Sequence, residues 1–202
     1  MWELDHLAVT CADLDAGTAH VQAALGLPLL PGGQHQRYGT HNRLLGLGSG
    51  LYLEVIAPDP AAPRPPYPRW FGLDAAGAPR LSNWIARTAD LTEALRQSPA
   101  DAGDPVALTR GDLAWTIAVP ADGHVPQSGG WPTLIRWTAG THPSARLPDA
   151  QVRLTRLDIL HPDADSLARS LPMTDHRLVF RTAPAPALRA TFATPHGERV
   201  LA

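Results

Sequence analysis

The chain repeats itself, and an internal repeat restricts the accessible folds more than any single motif does. Leu4-Asp5-His6-Leu7-Ala8-Val9-Thr10-Cys11-Ala12-Asp13-Leu14 aligns without gaps on Leu81-Ser82-Asn83-Trp84-Ile85-Ala86-Arg87-Thr88-Ala89-Asp90-Leu91, and both copies close on Ala-Asp-Leu. In each copy an alternating stretch suits a half-buried strand. The aspartate then stands where its carboxylate can accept from the free N–H groups of a following helix. A third, weaker copy runs from Leu154 to Asp163 and leads into the helical stretch Ala164 to Leu171, with Pro162 and Asp163 as helix-start chemistry.

The spacing predicts helices over Leu14 to Leu25, stopped by Gly26, and over Leu91 to Gln97. Short β-like segments follow each helix: Leu27 to Leu30, Thr40 to Leu47 and Leu51 to Ala57 in the first unit, with Gly48-Ser49-Gly50 as a hairpin turn. The second unit offers Val106 to Thr109, Leu113 to Val119 and Thr133 to Thr138, and the third Arg177 to Arg181, Leu188 to Ala193 and Arg199 to Leu201. The expected organisation is a βαβββ unit over 1–58, a connector over 59–79, a second βαβββ unit over 80–140 and a shortened βαβ-type unit over 150–202. The connector opens on six prolines between Pro58 and Pro68. It reads as a stiff, extended linker across the back of a sheet rather than as a ligand for a proline-recognition module.

Composition narrows the class. An apolar fraction of 44% and a charged fraction of 18% suit a globular protein, and 21 prolines imply few and short helices. The net charge of −2, with basic residues scattered singly, argues against nucleic acid as a partner. No apolar run approaches a membrane span, and the acidic N-terminus is unlike a secretory signal, so the expected location is cytoplasmic. The single cysteine, Cys11, excludes an intrachain disulfide and has no base near it in sequence to activate it. No phosphate-binding glycine loop is present, because Gly46 to Gly50 belongs to the hairpin.

Gly39-Thr40-His41-Asn42-Arg43-Leu44-Leu45, Tyr52-Leu53-Glu54-Val55-Ile56-Ala57, Trp70-Phe71-Gly72-Leu73, Pro132 to Trp137 and His142-Pro143 add a further resemblance. With the paired units, they make the chain similar to the vicinal-oxygen-chelate superfamily, and more closely to its glyoxalase-like domain branch, over roughly residues 2 to 165. The resemblance implies an α+β fold in which repeated βαβββ units form a cupped mixed sheet, here with a third C-terminal repeat. It also implies a divalent metal in the cup, held from the first and fourth strands of each unit.

Carried over, His6 and Glu54 fill the first-unit metal positions. The ungapped alignment puts Asn83 opposite His6, and the strand pattern puts Arg136 opposite Glu54, with Ile135 one residue away as the alternative. Neither Asn83 nor Arg136 is a good ligand, so the metal site reads as a degraded half-site of His6 and Glu54. An arginine there would replace the ion's charge. Of His41 and Asn42, one should face the cup and its neighbour away. Trp84, Trp115 and Trp137 are either core residues or an aromatic wall. His20 and His35 are expected to be solvated, and His161 to belong to a helix-start turn.

The resulting expectation is a glyoxalase-like protein that binds a small polar or anionic molecule in the cup. Glu54 and His6 are the catalytic candidates, and His41, Asn42, Asn83, Trp84 and Arg136 the substrate contacts. A non-catalytic sequestering protein and a metal-dependent lyase, isomerase or dioxygenase are the alternatives. Since the cup needs units in pairs, an odd third unit either packs beside the first two or pairs with a second copy in a homodimer.

Overall fold

The computed structural model describes residues 1–48 and 50–202; the hairpin turn expected at Gly48-Ser49-Gly50 therefore lies partly outside the described residues. The first unit is β1 (Trp2–Thr10), α1 (Leu14–Leu25), β2 (Leu30–His35), β3 (Thr40–Gly46) and β4 (Tyr52–Pro58). The second is β5 (Arg80–Thr88), α2 (Leu91–Arg96), β6 (Asp104–Arg110), β7 (Leu113–Val119) and β8 (Thr133–Ala139). A single helical turn, α3 (Pro143–Arg146), leads to β9 (Arg153–His161), α4 (Ala164–Ser170), β10 (Leu178–Thr182), β11 (Ala187–Thr194) and β12 (Gly197–Leu201).

Both repeat aspartates cap their helices. Asp13 accepts from the Ala16 N–H at 2.7 Å and Asp90 from the Glu93 N–H at 3.0 Å. Gly26 ends α1 at φ 74°, the left-handed conformation a helix stop requires.

Eight strands form one sheet in the order β2-β3-β4-β1-β5-β8-β7-β6. The two units thus repeat the same wiring and meet along the antiparallel pair β1 and β5. The outer strands β2 and β6 also come into contact, which curls the sheet into a cup. Ala8, Ile56, Ile85, Trp115, Ile117 and Ile135 pack on the concave face. On the convex face Leu7, Val9, Val55 and Trp84 pack against α1 and the third unit.

The third unit has the element order βαβββ but a different wiring, β10-β9-β11-β12, with β10 parallel to β9 across the α4 connection. Its inner face, Leu157, Ile159, Leu188, Ala190 and Phe192, closes over the convex side of β1 and β5.

Three expectations require correction. Strand β2 begins at Leu30, where the forecast strand ended, and carries Gly32 and Gly33 as a bulge opposite Asn42. Those glycines read as loop, yet a Cβ on Gly32 would lie 2.0 Å from the Asn42 side-chain oxygen, so any side chain there must displace the Asn42 amide. The second half of the connector does not stay behind the sheet. Its 3₁₀ segment Trp70–Ala75 turns Trp70 and Phe71 into the cup, with Phe71 in the left-handed region at φ 58°. Finally, Trp84 is fully buried on the convex face, its indole N–H donating to the Gly129 carbonyl at 3.0 Å, and takes no part in the cup wall.

Candidate functional site

The cup floor is built around a backbone irregularity. Strand β1 holds one residue more than β5 between the pairs Leu4–Ala86 and His6–Ile85, and that extra residue is Asp5. The bulge allows Asp5 and His6, adjacent in sequence, to act on the same side. The His6 Nδ1 lies 2.6 Å from Asp5 Oδ1, and its Nε2 lies 3.6 Å from Glu54 Oε2. Since Asp5 can only accept, His6 carries its proton on Nδ1 toward Asp5 and presents Nε2 to the cup. Tyr52 stacks on the imidazole with ring centres 4.4 Å apart.

Asp5 is fully buried and collects four partners. His142 Nε2 stands 3.0 Å from its second oxygen, the Trp137 indole N–H donates at 3.0 Å, and an Arg87 nitrogen approaches to 3.7 Å. Burial alone would raise the Asp5 pKa. The hydrogen bonds and charges of His142 and His6 outweigh it and hold the carboxyl well below the usual range. Glu54 is equally sequestered at 5% exposure and accepts from the Asn42 amide at 2.5 Å. The Asn42 oxygen is occupied by the Gly33 backbone N–H at 2.7 Å, which fixes the amide with its NH₂ toward Glu54.

A further histidine belongs here. His35 is buried at 8% exposure rather than solvated, because β2 extends far enough to bring it inside. Burial first, and then the charge of Arg110, push its pKa down to about 3. Arg110 Nη1 lies 3.1 Å from His35 Nε2, and guanidinium only donates, so the ring proton sits on Nδ1 beside Thr40 Oγ1 at 3.1 Å. Trp70, Phe71, Trp115 and Trp137 supply the aromatic wall. The floor measures about 30 Å³, and an outer cavity of about 700 Å³ adjoins it through shared residues Leu44, Arg110 and Pro143.

The sequence candidates are thus divided. His6, Glu54 and Asn42 converge on the floor. His41 points to the opposite face beside Asp13 and Arg43, as the strand alternation demands once Asn42 faces inward. Arg136 is exposed and pairs across to Thr116, while its neighbour Ile135 fills the inward position; Arg136 is therefore no partner of Glu54.

Strand register gives a better equivalence than counting along the sequence. Glu54 pairs with Ala8, and the repeat equivalent of Ala8 is Ile85, which pairs with Thr133. The second bulge falls at Ser82, the repeat equivalent of Asp5. Asp5, His6 and Glu54 in the first unit thus correspond to Ser82, Asn83 and Thr133 in the second. Asn83 and Thr133 are both buried and bond each other at 3.0 Å.

This donor set does not fit a resident divalent ion. Such a site needs about three donors from imidazole, carboxylate or carbonyl. The first unit supplies two, and the second offers an amide and a hydroxyl already joined to each other. Among the described residues no cluster of three or more His, Cys, Asp or Glu has metal-binding geometry.

Asp5, His35, His142, Tyr52 and Arg110 escaped the sequence reading. His142-Pro143 did carry a family signal, but its bond to Asp5 spans 137 residues. Cys11, fully buried with its pKa raised to about 11 chiefly by burial, is not an activated thiol. No helix of the described residues is long and apolar enough to cross a membrane.

Comparison with solved structures gives the fold a context. A hypothetical protein from Staphylococcus aureus superposes with a TM-score of 0.60 at 13% identity, covering 93% of this chain and 88% of that one. Methylmalonyl-CoA epimerase from Mycobacterium tuberculosis matches at TM-score 0.43 and 22% identity, over 70% of this chain and 91% of that one. A mutant of 4-hydroxymandelate synthase from Streptomyces coelicolor matches at 0.40 and 15%, over 72% and 52%. Among curated proteins no sequence matches significantly. The sequence profile of the glyoxalase-like domain matches residues 4–174, which spans both cup-forming units. This chain belongs to the glyoxalase-like domain family.

Proposed function

We propose that the protein is a proton-transfer enzyme acting on a small polar or anionic molecule held in the cup. The observation that carries this reading is the meeting of two buried side chains, His6 Nε2 and Glu54 Oε2, at 3.6 Å on the cup floor, each oriented from behind. Asp5 fixes the tautomer of His6, and Asn42 fixes the carboxylate of Glu54. A substrate whose reactive end reaches this pair from the cup side meets a carboxylate and an imidazole nitrogen on one face. Glu54 takes the proton and, as the acid, returns it to the same molecule, while the His6 Nε2 lone pair accepts a hydrogen bond from a substrate O–H or N–H beside it. No step requires a metal ion, consistent with the two-donor set.

The test is exchange of carbon-bound protons for deuterium in D₂O, followed by NMR, over a panel of small 2-oxo acids, 2-hydroxy acids and their amides. Exchange in at least one compound, lost in Glu54→Gln while binding persists, supports the reading. Tight binding with no exchange in any compound overturns it in favour of a sequestering protein. That second reading draws on the aromatic wall of Trp70, Phe71, Trp115 and Trp137, which suits a flat ligand.

A further inference from the structure

The floor and the outer cavity adjoin along a short shared boundary. The floor, at about 30 Å³, holds roughly one or two water molecules and no organic substrate. Three residues line both spaces: Leu44, Arg110 and Pro143. Leu44 is a buried strand residue and Pro143 is ring-locked at the start of α3, which leaves Arg110, at the end of β6, as the part able to move.

The charge around Arg110 is unbalanced. The charged side chains of the outer cavity are Arg110, Arg146 and Asp112, and the last two pair with each other. Among the described residues Arg110 has no carboxylate within ion-pairing distance, and its hydrogen-bond partner is the ring nitrogen of His35. That imidazole is neutral, so the guanidinium faces the cavity with its charge uncompensated. Gly33 makes this placement possible: a Cβ there would lie 2.8 Å from the Arg110 side chain.

We propose that Arg110 is the anion anchor and gate of the cup. An anionic oxygen group on the substrate, seated in the outer cavity, draws the guanidinium off His35 and opens the floor to the reactive end of the same molecule. The recognised chemistry is a carboxylate or phosphate matched to the guanidinium fork. The substrate class is then a molecule with its anion at one end and its exchangeable proton at the other. This deepens the proposed function and rests on the cup being where a small molecule binds.

The experiment titrates the intact protein with butanoate, ethyl phosphate and the uncharged butanamide. Binding is followed by tryptophan fluorescence, since Trp70 and Trp115 pack edge-on against His35, and by the ring nitrogen resonances of His35. At least one anion should bind at least about tenfold more tightly than the amide. That preference should vanish in Arg110→Gln, persist in Arg146→Gln, and be accompanied in the native protein by a shift of the His35 Nε2 resonance. The stronger of the two anions identifies the group as carboxylate or phosphate.

Absence of binding by both anions, equal binding of acid and amide, or an unmoved His35 resonance at saturation each overturns the proposal. These readouts use the native protein, so they hold even if Arg110→Gln is poorly folded. Anion binding of this kind without proton exchange on any compound leaves the gate standing and removes the catalytic reading. Exchange on an anionic compound that survives unchanged in Arg110→Gln does the reverse.

Discussion

His35 and Asp5 are held in opposite charge states by the same enclosure, and acid acts on them in successive windows. The ordinary histidine pKa of 6.5 falls to about 3 in the folded chain, so the unfolded chain binds the proton first. The stability from a neutral His35 is complete above pH 6.5 and is lost as pH falls toward 3. His35→Gln should flatten that limb, as read from urea midpoints collected from neutral pH down to about pH 4. Asp5, depressed below its ordinary 3.8, contributes stability that is complete above that pH and is lost in stronger acid. Asp5→Asn should cost about 3 to 5 kcal/mol at neutral pH, measured by denaturant unfolding, because it breaks a buried ionic cluster. It should also lower proton exchange at Glu54 without abolishing it, since the His6 tautomer loses its anchor. His6 and Glu54 were legible through the family resemblance, and Asn42 only as one of a pair with His41 whose facing the alternation left open. Asp5 was not, since alternation assigns neighbours to opposite faces and the bulge breaks that rule.

At the scale of elements, glycines decide how closely the parts approach. Gly17 in α1 faces the sheet, where an added Cβ would lie 2.4 Å from the Cys11 sulfur and 2.7 Å from Val55. Gly17→Ala should destabilise by about 1 to 3 kcal/mol through overpacking, with the cup chemistry intact. Gly32→Ala should do the converse. Its Cβ falls on the Asn42 oxygen, so the Glu54 contact should be displaced and activity should fall well before the melting temperature does. The helices and most strands were readable from capping aspartates and periodicity. Strand β2 was hidden because Pro31, Gly32 and Gly33 are poor strand formers, tolerated only as an outer strand with a bulge. The fourth-strand match failed for a related reason: only the pairings Ala8–Glu54 and Ile85–Thr133 show that Thr133, and not Arg136, is the counterpart of Glu54.

For the whole molecule, the third unit acts as the backing of the cup. Phe192, fully buried, joins the cluster that includes Leu7, Val9 and Trp84. Phe192→Ala should cost about 3 to 5 kcal/mol and unfold the cup and its backing in one transition, observable as coincident fluorescence and circular dichroism curves. Sequence could count three units but not their wiring, because strand order depends on contacts between residues far apart in the chain.

The paired bulges at Asp5 and Ser82 bear on redesign. The second unit carries its extra residue at the position equivalent to Asp5, so no insertion or deletion separates the two backbones there. Exchanging Asn83 for histidine and Thr133 for glutamate would put larger, ionisable side chains where two buried residues now bond each other. The two halves of the cup therefore differ by side chains on one shared backbone plan, and exchanging their site residues is a question of packing around Asn83 and Thr133 rather than of loop length.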